Sequence, residues 1–334
     1  MAILKKTWRP LLAIALIGIL IKKGPFDIQQ LKFILSQPMM IAFGLTLFLV
    51  QNLIFAARWK LFVDLTSPIS MRLAAKLHLI GMFFNFFIPG GVGGDIVKAL
   101  ELSKTNGSAR SQTLSTVMSD RIFGLFAMIT FSTIFLALEY NHKPEAFVGK
   151  LLILSTLIFS GMLFSLLVLP LIFNKISDFL GGKDSKLFIV LDKFINSLSF
   201  TFQTFKNYKI QFYSLLFSAV TQTMGIFFMY TVVKTAGVPP PSFMIFFSLC
   251  CFGFVAAALP IMPGGIGVGQ YAFYALFANI SVELGKATIT AITILQIFTL
   301  VIALFGGAIF ALSPNAKKDL LNYESDLNDN QSQV

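Results

Sequence analysis

The residues able to do chemistry gather in two places. PGGVGG occupies Pro89 to Gly94 and is followed by Asp95 and Lys98; PGGIGV occupies Pro263 to Val268 and is followed by Gln270. Pro89 lacks a backbone N–H and disfavours helix in the residue before it, so an incoming helix should stop near Phe87. Gly90, Gly91, Gly93 and Gly94 tolerate positive φ and leave their N–H groups unshielded, and a new helix should begin near Asp95. Consecutive free N–H groups ahead of a helix amino terminus make an anion cradle, and a phosphate-bearing lipid headgroup suits it.

Arg58, Lys98 and Arg121 supply cations to the same place, with Asp95 and Asp120 to hold them. Asp120 and Arg121 are neighbours in sequence, point to different faces of a helix, and should find separate partners. Asn85 either holds the interrupted backbone or hydrogen-bonds a substrate; the first is favoured because freed backbone groups lie close by. The second place offers Pro263, Gly264, Gly265, Gly267 and Gln270. All of these residues also admit a structural reading. Asp95 can serve as a helix cap, the glycines can permit close helix packing, and the cations can anchor helix ends at the inner membrane face.

The elements that must position these residues are helices in a bilayer. Of the residues, 56% are hydrophobic and 12% charged, 38 are Phe, and the mean hydropathy is +0.80. Apolar runs at 38–57, 122–138, 151–173, 210–233, 243–262 and 287–312 are each expected to cross about 30 Å of hydrocarbon as a helix of roughly 20 residues. A shorter run, 10–21, is read as an uncleaved first span between lysine and arginine anchors. With the amino terminus inside, most of the 26 Lys and Arg fall in the inside loops 1–9, 58–76, 98–112 and 174–209 and in the tail. That bias places both termini in the cytoplasm and makes anionic lipid, not nucleic acid, the partner of the +11 charge.

This orientation puts the first glycine segment on the inner side and the second on the outer side. The expected fold is therefore all-α, a transmembrane bundle whose halves, about 1–140 and 150–313, are an inverted repeat with two glycine-broken, re-entrant segments. Within 174–209, Leu187, Leu191, Phe194 and Leu198 recur at helical spacing among lysines, as in an amphipathic helix lying on the membrane. Residues 314–334 read as a polar, disordered cytoplasmic tail.

AARWKLF at 56–62, FFNFFIPGGVGGDIVKA at 83–99, SDRIFGL at 119–125 and LPIMPGGIGVGQ at 259–270 together resemble the lysylphosphatidylglycerol synthase transmembrane-domain family, also called flippase-like or UPF0104 proteins. The resemblance implies a polytopic inner-membrane protein that moves an anionic phospholipid, glycolipid or lipid-linked intermediate between leaflets, as relatives do with an aminoacylated phospholipid. Those relatives carry a soluble aminoacyl-transferase domain after the membrane part. Here a short polar tail follows the last span, so lysyl transfer is not expected. Gln270 stands where the family often has glutamate, which removes a charge from that position.

Other chemistries lack their residues. Two histidines and two cysteines assemble no metal cluster, neither glycine hexapeptide continues into a nucleotide-binding Gly-Lys-Ser/Thr, and no cofactor is expected. Two classes stay open: a lipid translocase, and a membrane enzyme or accessory subunit of lipid or glycan assembly. In the second class Asp95 or Asp120 acts as a base, or the chain works beside a separate lipid- or glycan-modifying enzyme.

Overall fold

The computed structural model describes residues 27–87, 93–107, 109–180, 204, 207–258 and 265–313. These residues form ten α-helices and no strand. In chain order they are α1 (Ile28–Leu35), α2 (Pro38–Val63), α3 (Met71–Phe87), α4 (Gly93–Asn106), α5 (Arg110–His142), α6 (Ala146–Leu180), α7 (Tyr208–Thr235), α8 (Phe243–Ala257), α9 (Val268–Phe277) and α10 (Val282–Ala311). Their starts follow local chemistry. Asp27, Asn207, Ser242 and Ser281 cap α1, α7, α8 and α10 through side-chain oxygens that accept backbone N–H bonds, and Pro38 opens α2.

Five helices are long and apolar enough to cross a bilayer: α2, α5, the 146–166 part of α6, α7 and α10. They fall on five of the expected apolar runs, and the chain is a multi-pass membrane protein. The expected crossing at 243–262 is corrected. The helix there has 15 residues and ends at Ala257, so at 1.5 Å per residue it falls short of the hydrocarbon thickness. Pro260 and Pro263 follow, and neither is at home in a helix interior. The loop expected from residue 174 is also shorter at its start, because α6 continues to Leu180. Apart from residues 204 and 207–209, the rest of the amphipathic stretch lies outside the described residues, as do the first apolar run and the tail.

A regular order organises the bundle. Residues 38–142 run long helix, short helix, glycine segment, short helix, long helix (α2, α3, α4, α5), and residues 208–311 repeat that order (α7, α8, α9, α10). The packing repeats as well. α3 packs on α10 as α8 packs on α5, α2 on α5 as α7 on α10, and α4 on α5 as α9 on α10, while α2 and α7 pack on each other. Small residues allow the closest approaches. A Cβ at Gly306 on α10 would overlap the Leu79 carbonyl of α3, and one at Gly94 on α4 would overlap the Gly81 carbonyl of α3. Rings fill the centre, with Phe48, Phe228 and Phe298 from α2, α7 and α10 in mutual contact at centroid distances of 5.6–6.0 Å.

Candidate functional site

The first half of the site is a charged cluster built by α2, α3, α4, α5 and α7. Arg58 lies buried on α2. Its Nε donates to Asp120 Oδ1 at 2.8 Å, Nη2 to Oδ2 at 3.2 Å, and Nη1 to Ser218 Oγ of α7 at 2.9 Å. A planar guanidinium thereby meets a carboxylate in the two-point manner that distinguishes arginine from lysine, and it also ties the first half of the chain to the second. Gly124 leaves room for this, since a Cβ there would come within 3.1 Å of Arg58 Nη2. One residue further along α5, Arg121 forms an ion pair with Asp95 of α4. Asp120 and Arg121 thus do take separate partners. Asp95 lies in the first turn of α4, two residues inside the helix that starts at Gly93, and serves as an ion-pair partner there.

Lys98, one turn further along α4, is 5% exposed. Its ammonium sits 3.7 Å from the ring centroid of Trp59, whose Nε1 donates to Thr116 Oγ1. No described carboxylate lies within ion-pair distance of Lys98. The cluster counts three cations against two carboxylates. His78 closes it: its Nε2 lies 3.1 Å from Asn52 Oδ1, and because Asn52 Nδ2 donates to the Phe48 carbonyl, the imidazole nitrogen is the donor.

The break after Phe87 is held by Asn85, whose Oδ1 accepts the Gly94 N–H at 2.9 Å. The second break has a parallel arrangement. Gly265 and Gly267 have φ of +67° and +87°, and Gln270 Oε1 accepts the Gly267 N–H at 2.6 Å. Gln270 Nε2 in turn donates to Gln296 Oε1 of α10 at 2.6 Å. Gln270 and Gln296 are 26 residues apart, as are Asp95 and Arg121. The first half carries an ion pair where the second carries a pair of amides.

Helix residues beside both breaks line one cavity of about 280 Å³. Asn85 lines it beside the first break and Ala257 beside the second, Gln296 and Thr299 of α10 add an amide and a hydroxyl, and Met82, Phe254 and Ile292 supply apolar wall. The expected site residues Pro89, Gly90, Gly91, Pro263 and Gly264 lie outside the described residues. Arg58, Asn85, Gly93, Gly94, Asp95, Lys98, Asp120 and Arg121 come together, while Gly265, Gly267 and Gln270 do not line the cavity and reach it only through the Gln270 bond to Gln296. The sequence reading passed over Asn52, Trp59, His78, Ser218 and Gln296. A signal existed for Gln296 and Asn52, amides inside long apolar runs, where a polar group needs a partner.

A multi-pass α-helical membrane protein with two glycine breaks at one cavity is thus defined by fold and site. The model of the lysylphosphatidylglycerol synthase TM region matches residues 8–318, and the chain belongs to that family. A UPF0104 membrane protein of Pyrococcus horikoshii is 26% identical over 279 residues, covering 77% of this chain and 81% of the relative. No solved structure matches.

Proposed function

We propose that this protein moves an anionic phospholipid, glycolipid or lipid-linked intermediate across the cytoplasmic membrane, with both termini inside. The observation that carries the reading is a single cavity lined by the helix ends beside the two breaks, Asn85 and Phe86 in one half and Ala257 in the other, next to a net-cationic cluster. Non-helical backbone at membrane depth persists where protein or a water-filled cavity surrounds it, and broken helices at matching positions of two halves are the mark of alternating-access carriers. The repeated helix order and repeated packing pairs support reading the halves as an inverted repeat that rocks about the α2–α7 contact.

Within the cluster, Arg121 is the cation placed to meet a lipid phosphate. Its side chain is 43% exposed, while the Arg58 donors are engaged on Asp120 and Ser218. Asp120 makes a poor general base because both of its carboxylate oxygens accept from the Arg58 guanidinium, which weighs against an enzyme reading that uses it.

The test is movement of acyl-labelled phosphatidylglycerol between leaflets of vesicles holding the purified chain, read by chemical quenching of the outer-leaflet label. The wild-type chain should accelerate exchange over empty vesicles, and Arg121→Gln should slow it by about tenfold or more, as expected for losing a charge-assisted contact. Arg121→Lys should retain part of the rate. Full exchange in Arg121→Gln, or none in the wild type for any anionic lipid supplied, would overturn the reading.

A further inference from the structure

The polar groups at the cavity are few and of definite kinds. Asn85 spends its carboxamide oxygen on the Gly94 N–H, so the group it retains for a ligand is its NH2, a donor. Thr299 donates its hydroxyl hydrogen to the Leu295 carbonyl at 2.8 Å, so what it retains is the oxygen lone pairs, an acceptor. Gln296, the third polar lining residue, accepts from Gln270 through its Oε1. A donor and an acceptor beside it in one small, mainly apolar space match hydroxyl groups, which both give and accept a hydrogen bond. The volume of about 280 Å³ lies just under the lower end, roughly 300 Å³, of pockets that hold drug-sized molecules, so it has room for one small headgroup and not for acyl chains.

Charge is the sharper discriminator. No Asp or Glu lines the cavity among the described residues, and neither 88–92 nor 259–264 contains an ionisable residue in its sequence. The ionic cluster beyond Asn85 has an excess of cations. A headgroup ammonium entering here would lose its water and meet no counter-charge, an unfavourable exchange in any apolar setting.

We propose that this cavity receives the uncharged, hydroxyl-bearing part of a lipid headgroup, a glycerol or a hexose, and rejects a headgroup carrying an ammonium. The inference rests on the reading of the protein as a lipid carrier and narrows its substrate class. Phe86 and Phe254 supply flat apolar surfaces for the C–H faces of such a group. Phosphate, where the lipid has one, lies toward Arg121.

The experiment is equilibrium binding of lipids with matched acyl chains to the full purified chain, read by native mass spectrometry. Phosphatidylglycerol and lysyl-phosphatidylglycerol differ only by the ammonium-bearing lysyl group, and a glucosyl diacylglycerol tests the hydroxyls without phosphate. Phosphatidylglycerol should bind at least about tenfold more tightly than its lysyl derivative. Thr299→Glu, which adds a carboxylate to the cavity, should narrow or reverse that ratio, and the near-isosteric Thr299→Val should weaken the glucosyl lipid while preserving the fold. Equal or tighter binding of the lysyl lipid overturns the proposal, as does a ratio unchanged by Thr299→Glu. Vesicle assays separate this from the carrier reading. The binding preference without movement of any lipid sustains the cavity assignment and sinks the carrier, whereas preferential movement of the lysyl lipid sustains the carrier and sinks the cavity assignment.

Discussion

Arg58 binds three helices together through one side chain, and the energetics of that arrangement can be tested separately from transport. Its side chain and that of Asp120 are 8% and 15% exposed, so removing either partner leaves the other charge buried without compensation. Breaking a buried pair by one partner costs about 3–5 kcal/mol, while replacing both is far milder. Arg58→Gln and Asp120→Asn should therefore each lower the melting temperature of the detergent-solubilised protein markedly, and the double substitution should recover much of the loss. Equal losses in single and double variants, measured by fluorescence-detected size-exclusion after heating, would show that the pair is not coupled. The five charged residues of the cluster were legible in the sequence because charges beside apolar runs and helix breaks need partners, whereas His78 was not. Which acid meets which base was not, since the pairing depends on how α2 and α4 lie against α5. Arg58 takes Asp120 from 62 residues away.

Element packing turns on glycines, and they differ sharply from one another. An added Cβ at Gly94 would overlap the Gly81 carbonyl and crowd Asn85, so Gly94→Ala must drive α4 away from α3 and disturb the break that Asn85 holds. Gly161 on α6 has nothing within 4 Å of the same atom. Overpacking of a tight core costs about 1–3 kcal/mol or more, whereas an alanine at an unhindered helix position gains up to about 1 kcal/mol over glycine. Gly94→Ala should thus lower the thermal midpoint and Gly161→Ala should hold or raise it. A midpoint unchanged in Gly94→Ala would mean that α3 and α4 do not approach so closely. The sequence announced the elements well where apolar runs were long and ended in capping residues or lysines. It misjudged 243–262, because a hydropathy pattern counts apolar residues and is blind to the helix ending at Ala257. It also missed the tie from Gln270 to Gln296, which no periodicity announces because it joins two helices.

At the scale of the whole molecule the question is whether the two halves face opposite sides. The helix order of 38–142 recurs in 208–311, and helices of the first half pair with helices of the second in a reciprocal pattern: α3 with α10, α8 with α5. Reciprocal pairing of this kind is what a two-fold relation between halves produces, since each element must meet its partner's counterpart. If the axis lies in the membrane plane, the loop side of α4 and the start of α8 are exposed to opposite compartments. With Cys250 and Cys251, both buried, replaced by Ser, single cysteines at Ser103 and Ser242 should be labelled by an impermeant maleimide from opposite sides of sealed vesicles. Ser103 should react from the cytoplasmic face and Ser242 from the other. Labelling of both from one face would place the axis along the membrane normal instead. The cavity between the breaks would then open to one compartment only, and a carrier built on rocking halves would have no second exit for its lipid.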